Sequence, residues 1–90
     1  MNACTDQFEV FPSRLRLMRV APNRTTRYFY RLHVERDLFG GASLVQEWGR
    51  VGTRGRSRAE RFPDEGHAVT ALMQVAATLK QRGYGPDFSR

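Results

Sequence analysis

Four stretches of the chain are predicted to form β-strands, the first two because their side chains alternate between two faces. They cover residues 14–20, 27–35, 44–52 and 56–62. Turn-forming residues separate them: the run APNRTT at 21–26, the run DLFGGAS at 37–43, and a tight turn from Gly52 to Gly55. Gly40 and Gly41 are free to adopt the positive φ that a hairpin turn requires. Because short turns join antiparallel neighbours, the pattern predicts a β-meander.

The hydrophobic period changes to that of a helix after residue 62. Pro63 opens the segment, Asp64 is predicted to cap its first backbone N–H groups, and Gly83 is predicted to follow its last turn. Apolar residues at helical spacing form one stripe: Val69, Leu72, Val75, Ala76 and Leu79. A single helix must bury such a stripe against the sheet. The predicted fold is therefore α+β: an antiparallel meander of about four or five strands with one C-terminal helix packed across one face.

Ninety residues are enough for one domain with one modest core. We expect that domain to span residues 14–85. Residues 1–13 show no sustained period and are expected to form a tail or a short edge strand, and residues 86–90 a C-terminal tail.

The charge of the chain predicts an anionic partner. Fifteen basic residues face nine acidic ones, for a formal net charge of +6, and Lys80 is the only lysine. Arginine presents a planar fork of donors that suits phosphate. A GC-rich genome would also raise the arginine content, so the Arg/Lys ratio alone does not decide the function.

Several functional classes find no support in the residue pattern. The one cysteine, Cys4, allows neither an intramolecular disulfide nor a cysteine-based zinc site. No secretory signal and no membrane-spanning run is present, so a cytoplasmic location is expected, with nucleoid association as an option. His33 and His67 lack an evident nucleophile or carboxylate partner for catalysis. We expect no enzyme activity, no metal, no small-molecule cofactor and no membrane partner.

The run WGRVGTRGR at 48–56 carries most of the functional signal. In an extended strand Trp48 and Arg50 project from one face, while Val45, Gly49 and Val51 project from the other. The second set is small or apolar, so we expect it under the helix and Trp48 on the face away from the core. A buried tryptophan is the alternative, since a lone tryptophan often belongs to a core. Gly49 leaves room for a ligand or another backbone to approach.

Arginines are dense in and after this run. Arg54, Arg56 and Arg58 alternate, so in an extended segment they form a row on one side. Arg27 and Arg31 extend the basic surface in this interpretation, as does Arg24. Arginines beside an exposed aromatic suit a nucleic acid, because phosphates add affinity and the ring stacks on a base or sugar. A merely solvated charged face is the alternative.

These residues together resemble the WGR domain. The resemblance runs from about residue 14 to residue 84 and includes Trp48-Gly49-Arg50, Val51-Gly52, the turn Gly55, the aromatic strand YFYRL at 28–32, the helix and the closing Gly83-Tyr84. Such domains are antiparallel sheets crossed by one helix. They occur as short stand-alone bacterial proteins and in poly(ADP-ribose) polymerases, where they contact DNA near a break and relay that contact to the catalytic domain.

The resemblance implies a role for each matching residue. Trp48 would stack on a sugar or base at a strand end, and Gly49 would permit the close approach. Arg50 would contact the backbone or a partner domain, while Arg54 and Arg56 would meet phosphates. No transferase sequence follows within these ninety residues, so we expect the module to bind alone or to act in trans.

Two functions remain open at this point. The first is a non-catalytic nucleic-acid binding module that favours DNA over RNA, at ends, nicks or single-strand junctions. Its site would comprise Trp48, Gly49, Arg50, Arg54, Arg56 and Arg58. The alternative is a protein-interaction or regulatory module acting in trans on a partner protein, with Trp48 and Arg50 as its anchor.

Overall fold

The computed structural model describes residues 14–86 as five strands and one helix. All neighbouring strands are antiparallel, in the order β4-β3-β2-β1-β5. This confirms the α+β fold predicted from the sequence. The predictions for residues 1–13, including Cys4, and for residues 87–90 of the C-terminal tail lie outside the described residues, whereas Pro86, assigned to the same tail, pairs with Leu17 in the sheet. The elements are β1 (Arg14–Val20), β2 (Arg27–Arg36), β3 (Ala42–Arg50), β4 (Arg56–Phe62), α1 (Glu65–Gln81) and β5 (Gly85–Pro86).

Both ends of α1 are formed by the residues that the sequence indicated. The Asp64 carboxylate accepts a hydrogen bond from the backbone N–H of His67 at 2.8 Å, which satisfies one of the unpaired donors of the first turn. Gly83 follows the helix with φ +97°, a conformation that costs glycine little. The chain then turns, and Gly85 pairs with Met18 of β1.

The core lies between α1 and one face of the sheet. Leucines from the three central strands meet the apolar stripe of the helix, and the helix contacts β2, β3 and β4. Leu32, Leu44 and Leu72 are the largest side chains that are fully buried. The buried cluster consists of Leu17, Leu32, Leu44, Leu72, Ala76 and Leu79.

The predicted face of Trp48 is wrong. Residues paired across an antiparallel ladder share a face, and Trp48 pairs with Tyr30, whose ring packs against the core. Leu44 of the same strand is 1% exposed under the helix, so Trp48, two pleats further on, projects from the helix side. Val45 and Gly49 lie on the helix-free face, and Val51 is exposed in the turn after β3.

The physical reason is that Leu44, not Val45, fills the space under α1. Trp48 is half-buried, and it is absent from the set of partly buried side chains that pack on the core cluster. The indole therefore stands at the margin of the core, neither sealed beneath the helix nor on the opposite face.

Acid should weaken the fold through two carboxylates. The backbone N–H of Phe39 is the main cause of the lowered pKa of Asp37, and that of His67 is the main cause of the lowered pKa of Asp64. A carboxylate whose folded pKa is depressed stabilises the fold fully above its unfolded pKa, about 3.8 here, and loses that contribution as the pH falls through the folded value. We expect the thermal midpoint to decline below that pH. A combined Asp37→Asn and Asp64→Asn variant should decline less; an equal decline would contradict the assignment.

Candidate nucleic-acid interface

Three aromatic rings adjoin one another on the helix side of the sheet. The Trp48 indole stacks on the Tyr30 ring with centroids 5.6 Å apart and planes at 15°. The Tyr84 ring meets Tyr30 edge-on at 5.9 Å and 84°. Both are favourable aromatic geometries. Because Tyr30 lies on β2, it covers one face of the indole, and the other face is directed toward the edge strand β4.

A hydrogen bond fixes the ring beneath the indole. The Tyr30 hydroxyl donates to Oε1 of Gln46 at 2.8 Å, and Gln46 is only 7% exposed. Burial is the main cause of the raised pKa of the Tyr30 hydroxyl, with the neighbouring Tyr84 second. Since a buried amide oxygen without a donor is costly, this bond holds the Tyr30 ring, and with it the position of Trp48.

Gly49 is explained by a contact within the chain. A Cβ placed on Gly49 would lie 2.7 Å from the Cα of Gly55, and one placed on Gly55 would lie 2.5 Å from the Trp48 carbonyl oxygen and 2.9 Å from the Phe29 ring. Gly55 also has φ +76°. The turn after β3 thus folds back onto the helix-free face at Gly49. The backbone that approaches Gly49 is its own, whereas the resemblance implied a ligand.

Three of the predicted arginines share a face with Trp48. Arg50 follows it by one pleat, Arg56 is its partner across the β3–β4 ladder, and Arg58 is the partner of Gln46. All three side chains are exposed, and Arg58 lies 3.9 Å from Glu60. Arg54 is exposed in the turn between β3 and β4. Of the predicted row, Arg56 and Arg58 therefore lie on one face of β4, whereas Arg54 precedes them in the turn.

The predicted extension through Arg27 and Arg31 lies on the other face. Arg31 pairs with Glu47 across the ladder, with Nη1 3.9 Å from the carboxylate, and its guanidinium lies 4.7 Å from the centre of the Phe29 ring. Arg27 shares this helix-free face, since it is four residues before Arg31 in β2. The two arginines are thus not brought together with Trp48.

Arg19 was missed by the sequence analysis and belongs beside the aromatic rings. Its guanidinium lies 4.7 Å from the centre of the Tyr28 ring and 5.6 Å from that of Tyr84, within the range of cation–π attraction. Alternation could have found it, because Arg19 shares its parity with the core residues Leu15 and Leu17 of β1.

Charges are segregated along the strands. We call residues 19–28 and 48–57 the Trp48 end, because β1 and β3 finish there and β2 and β4 begin there. This end contains no Asp or Glu. The residues 34–44 and 60–67, which we call the hairpin end, include five of the six carboxylates of the described chain. The arginines of the Trp48 end are Arg19, Arg24, Arg27, Arg50, Arg54 and Arg56.

We also searched residues 14–86 for a metal site, a membrane-spanning helix and partners of the two histidines. Within residues 14–86 no group of three or more His, Cys, Asp or Glu side chains could hold a metal ion. No helix in the same range is long and apolar enough to cross a membrane. His33 lies 3.0 Å from Glu35 and His67 lies 2.8 Å from Asp64, so each histidine has a local carboxylate partner.

The family follows from a comparison of the whole chain with known proteins. The WGR-domain family profile matches residues 13–89. The chain belongs to the WGR-domain family. WGR domains are binding-type domains, and the Trp48–Arg50 segment is the tripeptide that gives the family its name.

A bacterial relative shares the domain within a longer protein. The uncharacterized protein y4dW of Sinorhizobium fredii is 35% identical over 75 residues, which are 83% of this chain. The chain spans about 37% of the length of that relative. No solved structure matches this chain with statistical significance.

The Gly49–Gly55 contact can be tested by adding one methyl group. In Gly49→Ala the new Cβ would lie too close to the backbone of Gly55, so the two segments must move apart. We therefore expect a loss of about 1–3 kcal/mol in the free energy of unfolding. Gly66→Ala, in the first turn of α1, is the matched control, because its Cβ would meet only Asp64 Oδ1 at 3.4 Å. That change should be neutral or stabilising by about 0.5–1 kcal/mol. Urea denaturation measures both, and equal stability of the two variants would contradict the structural role of Gly49.

Proposed function

We propose that this WGR domain is a non-catalytic module that binds nucleic acid, with DNA favoured over RNA, at the helix side of its Trp48 end. The observation that carries the proposal is the half-buried indole, stacked on Tyr30 through one face, beside exposed arginines and with no carboxylate among residues 19–28 and 48–57. Aromatic stacking combined with a positive surface is how proteins hold exposed nucleotides.

The stacking geometry favours a nucleic-acid end over a continuous single strand. Tyr30 occupies one face of the Trp48 indole, so one base or sugar can stack on the other face. A binder of continuous single strands presents successive aromatic rings to successive bases. A single platform fits the one unstacked nucleotide at an end, a nick or a single-strand junction. Because Tyr30 and Gln46 already hold the ring, little side-chain freedom is lost on binding.

The arginines supply the electrostatic part of the proposed site. Arg50, Arg56 and Arg58 flank the indole on its own face, and Arg54 extends from the adjoining turn. Their guanidinium groups would contact phosphates, which position a nucleic acid without reading its sequence. Gly49 contributes by shaping the turn, and Arg27 and Arg31 on the far face are left outside the proposed contact. The preference for DNA over RNA rests on family membership.

A protein partner at Trp48 and Arg50 is the second candidate. One observation favours it: the domain of the S. fredii relative is accompanied by further polypeptide, since this chain spans about 37% of that protein. Tryptophan and arginine are common anchors of protein interfaces. Under this alternative, replacement of Trp48 abolishes partner binding and leaves the affinity for DNA unchanged.

Salt should weaken binding steeply. Trp48 is the only tryptophan, so its fluorescence reports its own surroundings during titration with nicked, blunt-ended and single-stranded DNA. If about four phosphates are neutralised, the log–log slope of affinity against salt should lie between about −3 and −4, or roughly a hundredfold between about 50 and 200 mM. We expect saturable quenching, strongest with the nicked or ended duplex. A folded protein without any change at low salt would exclude the proposal.

Three variants distinguish the contribution of the indole to DNA affinity from that of overall positive charge. Trp48→Ala should lose about 1–3 kcal/mol of binding free energy, since the stacking platform is gone, as measured by anisotropy of labelled DNA. Arg50→Ala should weaken binding, whereas the charge-matched control Arg36→Ala should not, because Arg36 lies at the hairpin end beside Glu65. An equal effect of the two arginine variants would mean that net charge alone attracts DNA.

A further inference from the structure

A depression lies on the helix-free face of the sheet, where β1, β2 and the turn after β3 meet. It has a volume of about 250 Å³. Two apolar side chains of that face line it, Met18 and Phe29, which are partners across the β1–β2 ladder. Phe29 is 9% exposed and Met18 is half-buried. We call this concave surface, which lies on the face of the sheet opposite the core, the Phe29 depression.

The turn after β3 forms one wall of the Phe29 depression. Residues 51–53 line it. The backbone N–H of Val51 donates to the carbonyl oxygen of Arg27 at 2.8 Å, which ties the turn to β2. The close approach of Gly49 to Gly55 holds the rest of the turn against the same face. The contact that explains Gly49 therefore also builds a concave surface on the helix-free face.

Three arginines surround the Phe29 depression. Arg16 and Arg31 are direct partners across the β1–β2 ladder, and Arg27 lies four residues before Arg31 on the same face of β2. The Arg31 guanidinium lies 4.7 Å from the centre of the Phe29 ring, so its side chain leans over the depression. No Asp or Glu is among the described residues that line it. Like charges that face each other across a ladder destabilise a sheet, and a bound anion would offset that repulsion.

One carboxylate lies nearby without neutralising the three arginines. Glu47 is 3.9 Å from Arg31, but the two side chains are 42% and 52% exposed. An exposed ion pair at this distance contributes little to stability, so an anion with several donors around it can compete for Arg31. Glu47 lines a smaller depression beside this one.

The size and chemistry of the Phe29 depression fit a phosphate group attached to a sugar. Sites for small molecules usually enclose about 300–1,000 Å³, so a volume of about 250 Å³ has room for part of a nucleotide and none for a larger cofactor. Arginine presents forked donors that match phosphate oxygens, and the apolar side chains between them can contact the carbon atoms of a sugar. We propose that Arg16, Arg27 and Arg31 form a second anion site, which binds a sugar phosphate on the helix-free face.

This second site is separate from the proposed contact at Trp48. The indole lies on the helix side of the sheet and the depression on the other, so either site can be lost without the other. A free sugar phosphate and the backbone of a nucleic acid present the same chemical group to these arginines. The two sources differ in whether the phosphate is an ester of one sugar or joins two.

Two-dimensional NMR of the isotope-labelled full chain, at low salt, tests the site with ribose 5-phosphate. We expect saturable shifts of the backbone N–H signals of Phe29, Gly52 and Thr53. Ribose at the same concentration should cause none, since it lacks the charge. Arg27→Gln and Arg31→Gln should each weaken the binding of ribose 5-phosphate about tenfold, as expected when a charged hydrogen-bond donor is lost.

Arg36→Gln is the matched control. Arg36 also lies on β2 and has a carboxylate partner, Glu65 at 3.8 Å, but it is on the helix side at the hairpin end. This variant should bind ribose 5-phosphate as the wild type does, and the spectrum without ligand shows whether each variant is folded. Equal weakening by Arg36→Gln and Arg31→Gln would show that net charge alone attracts the probe. That result, or no shift with ribose 5-phosphate, would overturn the proposal.

A trithymidylate without terminal phosphates, added to the Trp48→Ala protein, identifies the source of the phosphate. Shifts around the Phe29 depression with this probe assign the site to a nucleic-acid backbone. Shifts there with ribose 5-phosphate alone assign it to a free sugar phosphate. Shifts of the wild-type protein that are confined to the surroundings of Trp48, with either probe, would overturn the second site and leave the proposed function intact.

Discussion

The cross-strand stack of Trp48 on Tyr30 connects the hydrophobic core to the proposed binding surface. Tyr30 packs against the core cluster, is bonded to buried Gln46, and supports the indole from one side. Trp48 thereby acquires a defined orientation although it lies at the margin of the core. The packing that stabilises the sheet under α1 also positions the indole beside β4, where Arg56 is its ladder partner.

Positively and negatively charged residues are concentrated at opposite ends of the strands. Six arginines and no carboxylate lie among residues 19–28 and 48–57, so these two segments contribute only positive charge. A polyanion would relieve the repulsion among them. At the hairpin end three of the five carboxylates have an arginine within 4 Å, and the apolar Leu38 and Phe39 are exposed. The proposed nucleic-acid contact therefore lies at the end of the sheet where arginines are concentrated.

The sequence predicted the elements well and the faces poorly. Pro63, Asp64 and Gly83 marked the helix because caps are local chemistry, and β1 followed from simple alternation. Alternation shows which residues share a face of a strand, but it does not show which face the helix covers. Leu44 and Val45 are both apolar, so β3 was assigned the wrong face. The error could be corrected only by the register that pairs Trp48 with Tyr30.

Contacts that depend on the path of a turn or on strand pairing could not be predicted from local sequence patterns. Gly49 was recognised as a place of close approach, but its partner Gly55 reaches it through a turn with two glycines at positive φ. Arg27 and Arg31 looked like neighbours of the site until the ladder placed them on the other face.

Collisional quenching of Trp48 by acrylamide, with and without saturating nicked duplex DNA, shows whether a nucleotide covers the indole. Acrylamide is neutral, so the surrounding arginines do not concentrate it. We expect appreciable quenching of the half-buried indole in the free protein and strong protection in the complex, because a nucleotide then stacks on the face that Tyr30 does not cover. Equal quenching in the two states, at DNA concentrations where the protein is fully bound, would show that the indole is not the contact.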